Sequence, residues 1–152
     1  MPDKPIQSPS TITSSLSEPA AVYGSILHMD LLHLIDKVRH GISFSVFSHI
    51  VSFSPFTWPD WSSFLHLSER SMQRYKKEQK AFDPLQSEKI VEISRLYQRG
   101  VEVFGSSKKF DAWLASPIVA LDGHTPKSFL DSSFGIQLIN DELGRIEHGV
   151  LA

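Results

Sequence analysis

Asp83-Pro84 opens the stretch that most restricts how this chain can fold. Asp is a favoured N-cap, and Pro is tolerated in a helix's first turn, where a backbone N–H has no intrahelical partner to lose. From there Ile90, Ile93, Tyr97, Val101 and Phe104 recur at three- and four-residue steps, and Gly105 is a natural stop. The spacing predicts one long helix from Asp83 to Phe104 whose apolar stripe must be covered by other elements.

The flanking segments read the same way. Leu27, Leu31, Leu34, Ile35 and Val38 predict a helix that starts near Ile26 and stops at Gly41. Phe44 to Phe53 is apolar, β-branched and aromatic, which leaves helix and strand both open. Thr57 can cap a short helix carrying Pro59, Trp61, Phe64 and Leu65. Leu67-Ser68-Glu69 then makes a tight connector, and Ser68 caps a helix running to Lys80. Arg70, Gln73, Arg74 and Lys77 share its outer face, while Met72 and Tyr75 point toward a core. A short helix, a turn and a polar-faced second helix form a helix-turn-helix pattern. After Gly105, Phe110, Trp113 and Leu114 mark a short helix, and Thr125-Pro126 opens another. A last helix starts near Ser133, buries Leu138, Ile139, Leu143 and Ile146, and closes at Gly149. The class is all-α, in two lobes: residues 26–80 with the helix-turn-helix, and residues 83–152. Residues 1–20, with Pro2, Pro5, Pro9 and Pro19 among Ser and Thr, read as a disordered tail.

Several function classes are disfavoured. The chain has no cysteine, which removes disulfides, thiolate metal sites and Cys nucleophiles. No apolar run approaches the roughly 20 residues needed to span a bilayer, and the start lacks a cationic end followed by an apolar stretch. A cytoplasmic location is expected. Of the seven histidines, His28 and His33 lie five apart and His124 and His148 fall in different elements, so no zinc spacing is present. There is no phosphate-binding glycine loop and no Gly-x-Ser-x-Gly elbow, and neighbouring Asp141 and Glu142 diverge on a helix. We expect no catalytic residues, no metal and no cofactor.

Charge is uneven. Arg70, Arg74, Lys76, Lys77 and Lys80 face Glu78 alone across residues 70–80, a balance of +4. Residues 122–152 carry a balance of −3. The basic face is open to two readings: a solvated helix face, or a recognition helix in which Arg pairs with guanine, Gln with adenine and Lys with phosphate. The last residues are equally open: a frayed terminus, or an arm whose Val150 and Leu151 are apolar and whose Glu147 and terminal carboxylate are anionic.

Leu67-Ser68-Glu69-Arg70-Ser71-Met72-Gln73-Arg74 resembles the helix-turn-helix stretch of Xre/MbcA/ParS-type antitoxins. Leu85-Gln86-Ser87-Glu88 is similar to the start of their long middle helix. Val103-Phe104-Gly105, Trp113-Leu114, Pro117, Ala120-Leu121, Gly123 and Thr125-Pro126 follow that family's order, and the run from Leu143 to Ala152 resembles its C-terminal signature. The resemblance covers roughly Trp61 to Ala152. It implies an antitoxin that blocks the cleft of an NAD-consuming RES-domain toxin, dimerises, and binds operator DNA at its own promoter. It implies toxin-facing roles for Arg145, Glu147, His148, Gly149, Val150, Leu151 and Ala152, and DNA-facing roles for Arg70, Gln73, Arg74 and Lys77. Dimerisation is expected along Leu85 to Phe104, whose apolar content exceeds what a thin outer helix needs. The rival reading is a stand-alone helix-turn-helix transcriptional regulator without a toxin partner.

Overall fold

A computed structural model describes residues 18–149. Among them are eight α-helices, two 3-10 turns and no strand: α1 (Glu18–His28), α2 (Leu31–His40), α3 (Phe44–Phe53), α4 (Trp58–Leu65), α5 (Glu69–Glu78), α6 (Pro84–Phe104), α7 (Ser107–Leu114), η1 (Val119–Leu121), η2 (Pro126–Phe129) and α8 (Ser133–Glu147). The all-α class holds.

Helix α6 begins and ends where Asp83-Pro84 and Gly105 place its limits. It is the central element, packed against α1, α2, α4, α7 and α8. Ile90 and Ile93 are fully buried or nearly so, and burial of such a side chain stabilises by about 1.5–3 kcal/mol. Val91, Leu96 and Gly100 are buried as well, so α6 is covered on more than one side. Much of its apolar surface is thus used within the chain, while Leu85 in its first turn stays 78% exposed. Where α7 crosses α6, Gly100 leaves no room for a side chain, since a Cβ there would sit 2.1 Å from the Phe110 ring.

The N-terminal half packs around aromatic rings. Phe47 meets Trp61 edge-on at 5.2 Å and Phe82 at 4.9 Å, and Phe56 meets Phe64 at 5.2 Å. Buried Ser87 ties this half to the first turns of α6: its hydroxyl accepts from the Ile42 N–H at 2.8 Å and donates to the Phe82 carbonyl at 3.2 Å. The Phe82 N–H in turn donates to the Ile42 carbonyl at 2.9 Å. The Ile42, Phe82 and Ser87 groups thus satisfy one another, whereas the buried Trp61 Nε1 and Gln86 Oε1 have no hydrogen-bond partner among the described residues.

Four expectations are corrected and one open reading is settled. The helix expected from Ile26 to Gly41 is two helices, because Asp30 caps α2 by accepting from the His33 N–H at 3.1 Å. The new start turns Leu31, Leu32 and Ile35 outward, at 71%, 80% and 46% exposure. Phe44–Phe53 is a helix, capped by Ser43. The chain is already helical at Glu18, inside the expected tail; residues 1–17 lie outside the described residues. Helix α5 stops at Glu78, with Gln79 in the left-handed region at φ 50°. On α8, Ile136 takes the buried place expected for Leu138, which is exposed with Ile146 while Ile139 and Leu143 are buried.

Candidate functional site

The first surface is the helix-turn-helix. Thr57 and Asp60 form a reciprocal cap on α4: the Thr57 N–H donates to Asp60 Oδ2 at 2.9 Å and the Asp60 N–H to Thr57 Oγ1 at 3.2 Å. At the other end His66 adopts φ 53°, ψ 38°, and the Leu67 N–H closes the turn on the Ser62 carbonyl at 3.1 Å. Ser68 then caps α5 by accepting from the Ser71 N–H at 3.1 Å. Met72 and Tyr75 anchor α5 inward, Tyr75 stacking on Phe82 at 4.9 Å. That fixes the opposite face outward. Arg70, Gln73, Arg74 and Lys77 are exposed and line one shallow groove together with Ser71 and Glu78. None of the four is in a salt bridge among the described residues. The structure brings all four expected residues to one surface.

Lys76 and Trp58 belong beside them and were missed. Lys76 Nζ lies 5.9 Å from the Trp58 ring centroid, and both residues line a second groove that shares Gln73 with the first. The position of Lys76, three residues after Gln73, was available as a signal. Its proximity to Trp58 was not.

The second surface is the end of α8. Arg145 donates to Glu142 at 2.8 Å, holding a carboxylate that is 11% exposed. Arg99 of α6 donates to both oxygens of Asn140 at 3.1 Å and reaches Glu147 at 3.4 Å. Sequence reasoning passed over Arg99, whose guanidinium clamps the end of α8 to α6. Lys89 and Glu92 meet Ser133 at the other end, so α6 and α8 run parallel. Burial raises the Glu92 carboxyl above its usual range, a shift opposed by the Lys89 charge. His148 caps α8, and Gly149 takes φ 67°, a left-handed turn that glycine adopts without strain. Arg145, Glu147, His148 and Gly149 are exposed at this end. The expected contacts Val150, Leu151 and Ala152 lie outside the described residues. Outward-facing Phe134, at 88% exposure, and Leu138 add apolar surface to α8.

The helix-turn-helix is tied to the segment that precedes α8. Lys127 of η2 pairs with Asp60 of α4 at 3.4 Å, and His66 Nε2 meets the Asp131 carbonyl at 2.7 Å. Among the described residues no cluster of three or more His, Asp or Glu side chains could hold a metal, and no helix is long and apolar enough to cross a membrane.

Residues 33–95 match the antitoxin Xre-like helix-turn-helix domain, and residues 99–149 match the antitoxin Xre/MbcA/ParS C-terminal toxin-binding domain. The two matches meet inside α6. The chain is 29% identical over 120 residues to Antitoxin Xre of Yersinia enterocolitica, covering 78% of this chain and 81% of that protein. It is 28% identical over 121 residues to Antitoxin Xre of Photorhabdus laumondii, covering 79% and 82%. Its fold is similar to a chain of the M. tuberculosis MbcT-MbcA toxin-antitoxin complex, with TM-score 0.54 and 18% identity over 69% of this chain and 93% of that one.

Proposed function

The chain belongs to the Xre/MbcA/ParS antitoxin family, and from that premise we propose that it neutralises an NAD-consuming RES-domain toxin by blocking its cleft and represses its own operon through α5. The observation that carries this reading is the pairing of a toxin-binding domain with a helix-turn-helix domain in one chain. Inhibition is by occlusion, not catalysis, and takes place in the bacterial cytoplasm.

The blocking element is the run from Arg145 to Ala152. The Arg99–Asn140 and Arg99–Glu147 contacts steady the end of α8, and Gly149 redirects the backbone beyond it. A cleft that holds NAD must offer cations to a pyrophosphate and apolar surface to a base. A segment with Glu147, Val150 and Leu151 competes for both. The test is NAD consumption by the adjacent-gene RES protein with the full chain and with a chain cut after His148, with circular dichroism confirming the fold. Loss of inhibition on truncation is expected. Full inhibition by the cut chain would overturn the tail as the blocking element.

Operator binding is assigned to Arg70, Gln73, Arg74 and Lys77. One chain carries one recognition helix and reads one half-site, so the working unit on DNA is a homodimer. A monomeric mass in sedimentation at micromolar concentration, with and without operator, would overturn the dimer.

A further inference from the structure

We propose that Lys76 is a backbone-phosphate contact of the DNA interface and that Trp58 is the residue that positions it. This rests on the DNA-binding reading of α5 and adds a contact that reads no base.

Trp58 is a large apolar side chain left 37% exposed beside a strongly basic surface. Its inner side is fixed by the core: it stacks on Phe44 at 6.1 Å and meets Phe47 edge-on at 6.0 Å. Phe44 and Phe47 are both buried, so the indole is held where α4 begins. Lys76 places its ammonium 5.9 Å from that ring. A lysine on an open helix face samples many rotamers, and contact with an aromatic face narrows them. Lys76 has no carboxylate within salt-bridge distance among the described residues. Its charge is therefore ordered but not neutralised.

Position on the helix separates Lys76 from the four residues already assigned. At about 100° per residue, Arg70, Gln73, Arg74 and Lys77 form the outer face, and Lys76 sits at its shoulder, next to buried Met72 and toward α4. When a recognition helix enters the major groove, its outer face meets base edges and the preceding helix crosses the sugar-phosphate backbone. The shoulder between α5 and α4 is the part that passes the phosphates. Lysine suits that place because a compact ammonium binds phosphate as a point charge. Glu69, the one carboxylate lining the Trp58 groove, opposes an anion there and sets an upper limit on the gain.

The test is fluorescence anisotropy of the full chain with two labelled duplexes, the DNA upstream of its own gene and an unrelated sequence, across a salt series. Lys76→Gln is expected to weaken both duplexes by the same factor, about five- to ten-fold at low salt, and to lower the salt slope by about one. Trp58→Ala is expected to reproduce part of that loss and to add little in a Lys76→Gln background, while Trp58→Phe keeps most of the affinity. Arg70→Ala with Arg74→Ala should instead reduce the preference for the upstream duplex. Wild-type affinity and slope in Lys76→Gln, with the upstream duplex still bound, would overturn this contact and leave the DNA reading standing. A loss confined to the upstream duplex would place Lys76 on a base and overturn the phosphate role. Failure of the wild type to bind either duplex would overturn both. Lys76 is exposed, so its variant decides the matter even if Trp58→Ala does not fold.

Discussion

Lys127 Nζ lies 3.4 Å from Asp60 Oδ1, joining the turn before α8 to the cap of the first helix of the helix-turn-helix. Asp60 therefore serves two elements, since its Oδ2 also accepts from the Thr57 N–H. Asp60→Ala removes both interactions and should cost about 1–2 kcal/mol, most of it from the cap. Lys127→Ala should cost under about 1 kcal/mol, because the pair is partly solvated. Denaturant midpoints of the two variants and their combination measure the coupling. Equal losses in both single variants would assign the energy to the bridge, contrary to this ranking.

Gly100→Ala improves helix propensity by about 1 kcal/mol yet should destabilise the protein by about 1–3 kcal/mol net. The new Cβ would fall 2.1 Å from the Phe110 ring, which is itself fully buried between α6 and α7. Adding Phe110→Leu to Gly100→Ala should recover part of the loss. Thermal unfolding of the four proteins tests this, and a stabilised Gly100→Ala would show that α7 shifts away freely.

Tyr97 donates to Asp111 at 2.7 Å, and burial first, then that hydrogen bond, raise its hydroxyl far above the ordinary tyrosine range. Such a group holds its proton more tightly in the fold. Its contribution to stability is complete below the unfolded pKa, about 10, and is lost as pH rises through the folded value. Burial also raises Tyr23. Tyr97 and Tyr23 should therefore ionise late in a spectrophotometric titration. Tyr97→Phe should remove one late step and cost about 1 kcal/mol at neutral pH. A Tyr97→Phe titration curve identical to that of the wild type above about pH 10 would contradict the assignment.

Arg99→Ala should leave the body of the protein folded and loosen the end of α8, where Arg99 holds Asn140 and Glu147. Inhibition of the RES protein should weaken several-fold, mainly through faster dissociation, with DNA affinity unchanged. Hydrogen exchange should rise from Asn140 to Glu147. Unchanged exchange there would show that packing of Ile139 and Leu143 alone secures the helix.

Much of this protein is dictated locally, and that part is legible in the residues themselves. The caps at Thr57 and Ser68, the start of α6 at Pro84 (where the Asp83 side chain makes no cap hydrogen bond), the stop at Gly105, the buried stripe of α6 and the outward face of α5 all depend on near neighbours in the chain. Helical periodicity carries such information directly. What lay beyond it depends on distant segments. Periodicity joined α1 to α2 across Asp30, but the cap divides them, and nothing among the described residues covers Leu31 and Leu32. The apolar content of α6 reads in sequence as a face for a second copy; that α1, α2, α4, α7 and α8 all pack against this helix is decided by distant segments. Leu138 and Ile136 are both apolar and two residues apart; only the parallel packing of α8 on α6 decides which is buried. Lys76 beside Trp58 and Lys127 beside Asp60 are pairings across 18 and 67 residues of chain, separations at which spacing along the sequence no longer fixes distance in space.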